Sequence, residues 1–306
     1  MVAGRGFATI RLMNTQFQNI AILGRHDDTR VAEAMQIITP HLANAGVKVF
    51  AAVEMRLDLP VTRVDESELC DVADLVIAIG GDGTMLYASQ IVRESEIPIL
   101  GINRGRLGFL ADVTPDEMIA SVEQVLRGDY TRDSRMLLEA RLITESGDET
   151  SAFALNDVVL KRRETGRMVD FSTRVDGVFV NTHSGDGMIV ATPTGSTAYS
   201  LSCGGPIISP QLDAVVVVPV CPHTLTDRPI VIPADQSIEV VLLERDETKA
   251  SITVDGRSMG EIRPVDRMII SKAEQRITLV HPPSYDFYGI LRSKLFWGRD
   301  SRKRNV

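Results

Sequence analysis

The sequence predicts an N-terminal α/β domain of the Rossmann-like kind, then a β-rich, sandwich-like domain, with a C-terminal helix packing back on the first domain. Three observations carry this prediction. Up to about Asp133, short apolar runs ending in glycine alternate with segments whose apolar residues recur at helical spacing, the pattern of a parallel sheet covered on both faces. Beyond Asp133, short β-rich runs separated by Gly, Pro and Asp turns take over, and helical signal is scarce. The chain has 306 residues, 44% of them hydrophobic, enough to fill the cores of one large or two medium domains.

The elements follow in order. Asn19 to Leu23 is a strand ending at Gly24. Val31 to Ala45 carries helix-spaced Val31, Ala34, Met35, Ile38 and Leu42 and stops at Gly46, with Pro40 expected to kink or divide it. Val47–Val53, Leu75–Ile79 and Ile97–Ile102 read as further strands. Thr114-Pro115-Asp116-Glu117 is a capping box with Pro at the first helical position, opening a helix to about Arg127. The second part contributes strands at Met136–Ile143, Phe153–Lys161, Val169–Val175, Val178–Thr182, Met188–Ala191, Ala214–Val220, Ile230–Ile232, Ile238–Leu243, Ser251–Val254, Met268–Ser271 and Ile277–Val280, with a hairpin at Asp176-Gly177. Tyr288–Trp297 reads as a short helix ahead of a basic tail with Arg299, Arg302, Lys303 and Arg304. The expected division is therefore residues 1–12 as a disordered extension, with Met13 an alternative first residue, 13–133 as the α/β domain, 134–287 as the β-rich domain and 288–306 as the returning segment.

The net charge of −8 repels a polyphosphate backbone overall and argues against nucleic acid and anionic lipid as partners. No apolar run approaches a membrane span, and the first residues lack the apolar core of a secretory signal. Cys70, Cys203 and Cys221 are odd in number and far apart, which fits reduced thiols in a cytoplasmic setting better than a disulfide framework. His26, His41, His183, His223 and His281 show no metal-ligand spacing.

Four segments carry chemistry. Gly80-Gly81-Asp82-Gly83-Thr84 follows a strand and precedes a helical pattern, so its backbone N–H groups form a phosphate site at the positive end of a helix. Asp82 would repel an anion there, unless it serves the acceptor hydroxyl as a general base or reaches a metal ion; the bland alternative is a helix cap. Walker and G-x-G-x-x-G spacings are absent. Gly101-Ile-Asn-Arg-Gly-Arg-Leu-Gly-Phe-Leu110 lies at the same sheet edge, and Arg104 or Arg106 would neutralise phosphate there. Leu155-Asn156-Asp157 offers an amide and a carboxylate for a purine edge and a ribose diol, although Asn-Asp is more often a turn. Ser184-Gly-Asp186 through Ser202 is dense in glycines and hydroxyls around Tyr199, suited to wrapping a nucleotide; Ser196 lacks the G-x-S-x-G setting of a hydrolase.

In this order the four segments resemble the NAD kinase family. Gly-Gly-Asp-Gly-Thr alone is shared with phosphofructokinases and with diacylglycerol and sphingosine kinases. Thr-Pro-Thr-Gly-Ser-Thr-Ala-Tyr, Leu-Asn-Asp and Gly-Ile-Asn-x-Gly-x-Leu-Gly-Phe-Leu narrow the likeness, which runs from Asn19 to Trp297 and includes Pro222-His223-Thr-Leu-Thr and Leu-Arg-Ser-Lys-Leu-x-Trp-Gly. The resemblance implies transfer of the ATP γ-phosphoryl group, with Mg²⁺ carried by ATP, to the 2′-hydroxyl of the adenosine ribose of NAD. It implies Asp82 as base, Gly80, Gly81, Gly83 and Thr84 as the phosphate loop, Asn156 at adenine, Asp157 at the ribose hydroxyls and Asp186 toward nicotinamide. Thr197, Ala198, Tyr199, Ser200, Leu201 and Ser202 would line the dinucleotide pocket, with Ser184, Arg167, Asp255 and Arg257 near ligand. Asp157 stands where the family often has Glu, which shortens the reach by one methylene. Family members are homodimers or homotetramers through their β domains. A lipid or sugar kinase sharing only the glycine loop, and a non-catalytic dinucleotide sensor, are the rival readings.

Overall fold

The computed structural model describes residues 15–25, 27–105, 108–163, 168–243 and 249–297. The chain forms two compact units, one containing Ser134–Thr278 and the other the residues up to Asp133 together with those from Leu279 onward. The chain thus re-enters the first unit at Leu279, ahead of the residue at which the sequence suggested a return.

In the first unit the strands are β1 (Asn19–Gly24), β2 (Lys48–Ala52), β3 (Thr62–Val64), β4 (Leu75–Gly80) and β5 (Ile99–Asn103). They lie in the order β5-β4-β1-β2-β3, every pair parallel. Each of β1, β4 and β5 is apolar almost throughout because helices deny both faces to water. The helices are α1 (Thr29–Asn44), α2 (Leu69–Val72), α3 (Asp82–Val92) and α4 (Met118–Leu126). From β1 the chain first builds outward to β2 and β3, then crosses to β4 on the other side. The strand order therefore reverses between β1 and β4, whose carboxyl ends are neighbours with Gly24 opposite Ile79. That reversal is where ligands bind in open α/β sheets.

Several expectations are corrected. Pro40 does not divide α1; the helix runs to Asn44. Val31, Met35, Ile38 and Leu42 are fully buried, and that packing outweighs one missing backbone bond. The Thr114 capping box is replaced by a 3₁₀ turn, Pro115–Glu117, in which the Thr114 hydroxyl bonds the Glu117 carboxylate at 2.7 Å. β3 and α2 are too short to leave a periodic signal.

In the second unit the strands are β6 (Thr131–Ile143), β7 (Glu149–Ala154), β8 (Asp157–Arg162), β9 (Val169–Val175), β10 (Val178–Gly185), β11 (Gly187–Ala191), β12 (Ala214–Val220), β13 (Ile230–Pro233), β14 (Ile238–Leu242), β15 (Ala250–Val254), β16 (Arg257–Ile262) and β17 (Arg267–His281). One sheet has the order β13-β12-β11-β8-β15-β16; facing it, β10-β9-β14-β17 is joined by β6 and β7. Leu138, Phe171, Val240 and Ile270 from one sheet and Leu160, Val190, Val217 and Ile252 from the other share a single buried core, which makes a sandwich. The predicted strand Phe153–Lys161 is two strands, broken at Leu155-Asn156 because Asp255 captures the backbone there. Met268–Ser271 and Ile277–Val280 are one strand, β17, whose far end, Leu279 and Val280, pairs in parallel with β5. Its polar middle is satisfied by Lys272 on Asp213 (2.6 Å) and Arg276 on Ser134 (2.8 Å). Helix α5 (Tyr199–Ser202) belongs to this unit, and α6 (Phe287–Leu295), starting one residue before the predicted Tyr288, belongs to the first. Among the described residues no helix is long and apolar enough to cross a membrane.

Candidate active site

Strand β4 ends in Gly80, Gly81 is the N-cap, and Asp82 begins α3, so the five-residue motif is a strand-to-helix turn at the switch point. The leading N–H groups of a helix lack intrahelical acceptors; here the Thr84 N–H already donates to the Gly81 carbonyl at 2.9 Å, which leaves Asp82 and Gly83 at the head of the turn. Asp82 does not cap its own helix. Its Oδ2 accepts the N–H of Phe109 at 3.0 Å, and its Oδ1 accepts those of Leu110 at 3.0 Å and Ala111 at 3.4 Å. A carboxylate has about four lone-pair sites. Three are taken by rigid backbone, which fixes the group and leaves Oδ2 one acceptor position. The approach is close enough that a methyl group at Gly108 would overlap Asp82 Oδ1. The second segment thus exists, in part, to hold Asp82 still.

A cleft of about 460 Å³ opens here, lined by Arg30, Gly81, Asp82, Arg104, Gly108 and Lys294. Arg30 comes from the first turn of α1, Arg104 from the loop after β5 and Lys294 from α6. Both guanidiniums pair with Asp28, Arg30 at 3.4 Å. The Asp28 carboxyl is held below its ordinary value chiefly by its bond from Arg30. The cleft carries three cations beside one carboxylate and a helix N-terminus, an environment for a polyanion. Of the two arginines the sequence offered as phosphate partners, Arg104 lines this cleft. Arg30 and Lys294 were not, because nothing local marks them and only the topology brings them together. Arg106 and His26 lie outside the described residues.

In the second unit, Asp255 sits at the β15–β16 turn with φ 48° and accepts the N–H groups of Leu155 (2.8 Å), Asn156 (2.8 Å) and Asp157 (3.1 Å). Burial raises its pKa, and these three bonds oppose the rise. On the other side, the Thr192 N–H donates to the Asn156 carbonyl (2.9 Å) and its hydroxyl to that of Leu155 (2.5 Å). Gly195 lies against the Asn156 backbone so closely that any side chain would overlap it. Asn156, Asp157, Asp255 and the Thr192–Thr197 run are therefore one stitched cluster. Asp157 is 6% exposed, and burial, with the nearby Asp255 charge adding to it, pushes its carboxyl up to about 7.

Asp186 pairs with Arg162 at 3.0 Å, and Ser184 accepts the His223 N–H at 2.8 Å. Tyr199 is 38% exposed; burial and the neighbouring Cys203 thiol raise its hydroxyl pKa. Thr197 bonds back to the Thr194 carbonyl at 3.1 Å, and Ala198 and Leu201 are half-buried. Ser202 and Arg257 are exposed. Ser200 is fully buried behind this surface, against Gly205, so of the predicted pocket residues it is the one with no face to offer a ligand. Arg167 lies outside the described residues. Among the described residues no three His, Cys, Asp or Glu side chains form a metal cluster.

Comparison with known proteins agrees with this chemistry. Residues 20–130 match the family profile described as the ATP-NAD kinase N-terminal domain, and residues 155–282 match the ATP-NAD kinase C-terminal domain. An NAD kinase of Nitrosococcus oceani is 41% identical over 293 residues, 94% of this chain and 99% of that one. One of Ectopseudomonas mendocina is 42% identical over 286 residues, 92% and 97% of the two chains. Among solved structures, yeast NADH kinase complexed with NADH superposes with a TM-score of 0.85 at 25% identity, covering 94% of this chain and 89% of that one. An Archaeoglobus fulgidus NAD kinase in complex with ATP gives 0.65 at 24% identity over 91% and 97%, a likeness of fold. The chain belongs to the NAD kinase family and is a phosphotransferase that phosphorylates NAD.

Proposed function

We propose that the chain uses Asp82 as the base that accepts the proton of the 2′-hydroxyl on the adenosine ribose of NAD while the γ-phosphoryl group of MgATP moves to that oxygen, giving NADP and ADP. The observation that carries this reading is the carboxylate fixed by three backbone N–H groups with one acceptor position left, beside a helix N-terminus. Phosphoryl transfer asks for positioning and charge stabilisation more than for covalent help. The Gly80–Thr84 turn holds the phosphates. Asn156 takes the adenine edge, Asp157 the ribose hydroxyls and Asp186 the nicotinamide end, with Thr197, Ala198, Tyr199 and Ser202 lining the dinucleotide site. Asp255 serves by shaping the Leu155–Asp157 turn, and Mg²⁺ enters with the triphosphate. The yeast neighbour holds NADH, so the reduced dinucleotide is the second acceptor to assay. The protein works in the cytoplasm as a homo-oligomer through the β-rich unit.

NADP formation from NAD and MgATP, read through an NADP-specific dehydrogenase, tests this together with Asp82→Asn. The variant should lose about two to four powers of ten in turnover. Near-normal turnover in a folded Asp82→Asn protein removes Asp82 from the role.

A further inference from the structure

Of the three cations that line the cleft with Asp82, one has no ion-pair partner among the described residues. Arg30 and Arg104 share the Asp28 carboxylate. Lys294, half-buried on α6, has no carboxylate partner among the described residues; its ammonium lies 5.5 Å from the centre of the Phe109 ring. Phe109 is also the residue whose N–H holds Asp82 Oδ2. One residue therefore positions both the carboxylate and the ammonium, and α6 brings that ammonium into a cleft that the α3 N-terminus also lines. At Gly81 and Gly83 a methyl group would meet nothing within 4 Å, so the backbone there is open to a group entering the cleft. A half-buried ammonium without a counter-ion favours an arriving anion.

We infer that Lys294 is a catalytic residue that binds the non-bridging oxygens of the transferred phosphoryl group, while Arg30 and Arg104 carry the rest of the donor's polyphosphate. This rests on reading the cleft as the site of phosphoryl transfer. The bond between the γ-phosphorus and its bridging oxygen breaks, and the bond from the acceptor oxygen to that phosphorus forms. The hydroxyl proton passes to Asp82, and the diphosphate end leaves with the bridging oxygen. Lys294 keeps its protons throughout and offsets the charge spread over the equatorial oxygens. Lysine suits this as a compact point charge with three donors.

The test compares wild type, Lys294→Met and Lys294→Arg, with Arg104→Gln as a variant on the other wall of the cleft. Steady-state rates are measured against MgATP at saturating NAD, and inorganic tripolyphosphate and NAD are each titrated calorimetrically. Lys294→Met should lose about a hundredfold in kcat, the scale of one lost transition-state donor. Its tripolyphosphate affinity should fall about tenfold with NAD affinity unchanged, and Lys294→Arg should recover most of that affinity. Arg104→Gln should weaken tripolyphosphate and raise the KM for ATP with a smaller change in kcat. A folded Lys294→Met enzyme within twofold of wild type in kcat and in tripolyphosphate affinity overturns the assignment, as does unchanged tripolyphosphate binding in Arg104→Gln if the methionine variant does not fold. Wild type that binds tripolyphosphate yet makes no NADP would instead overturn the functional reading and leave the anion cleft standing.

Discussion

Each unit carries an aspartate whose carboxylate is held by three consecutive backbone N–H groups: Asp82 by Phe109, Leu110 and Ala111, and Asp255 by Leu155, Asn156 and Asp157. In both, a charged side chain substitutes for secondary structure and fixes a loop. Asp82 depends on a neighbour with no side chain. Gly108→Ala would push a methyl into Oδ1, so we expect turnover to fall at least tenfold, with stability reduced by about 1–3 kcal/mol from overpacking. An unchanged kcat in that variant would show that Asp82 needs no such tether. Asp157 is the tuned carboxylate. Its folded-state value of about 7 lies above its ordinary 3.8, raised first by burial and then by Asp255. Between those two pH values the folded state keeps a proton that the unfolded chain has lost. The stability contribution is therefore full below about 3.8 and is lost as pH rises to about 7, a few kcal/mol at most. Thermal unfolding of the ligand-free protein should weaken from pH 5 to pH 8, and Asp157→Asn should flatten that slope. On the proposed contact of Asp157 with the ribose diol, the ionised form is the better acceptor, so NAD affinity should rise over the same interval in wild type and not in the variant. Parallel pH profiles of the two proteins would remove Asp157 from both roles.

At the scale of elements, what was legible depended on whether the signal was contiguous. The strand, glycines and helix around Asp82 lie side by side in the sequence, so the turn and its exposed N–H groups follow directly from it. The close packing of the Thr192–Thr197 run was legible for the same reason. The three cations of the cleft were harder: Arg104 stands beside glycines, while Arg30 and Lys294 carry no local signal and only the fold gathers them. β17 was misread as two strands because Lys272, Glu274 and Arg276 interrupt its apolar pattern, and their partners Asp213 and Ser134 are far away in the chain. Ser200 is buried, and a run of hydroxyls does not say which of them turns inward. β10 shows a different feature. It is the last strand of its sheet, it is irregular between Phe179 and Asn181, and it exposes Val178, Phe179 and Val180 in succession. Exposed apolar edge strands invite pairing with another chain. We expect Phe179→Lys to lower the molar mass seen by light scattering to that of one chain. An oligomer of unchanged mass would move the interface elsewhere.

For the molecule as a whole, the charge balance is uneven: a net −8 overall surrounds a cleft lined by three cations. The overall charge discourages extended polyanions, while the cleft concentrates positive charge in one place. The two units also differ in how their parts are distributed along the chain. The second is the single uninterrupted stretch Ser134–Thr278, whereas the first needs both ends of the chain. β5 waits for Leu279 and Val280, buried Asp112 and Asp133 wait for His281 at 2.9 and 3.6 Å, and the cleft waits for Lys294. On the ribosome, then, the piece made in the middle has all its partners in hand first, while the piece begun earliest stays unfinished until translation is nearly over. A message cut short between the Thr84 and Lys294 codons yields a polypeptide that carries the glycine turn and Asp82 but lacks the Lys294 ammonium, so an interrupted round of synthesis leaves the cleft without one of its three cations.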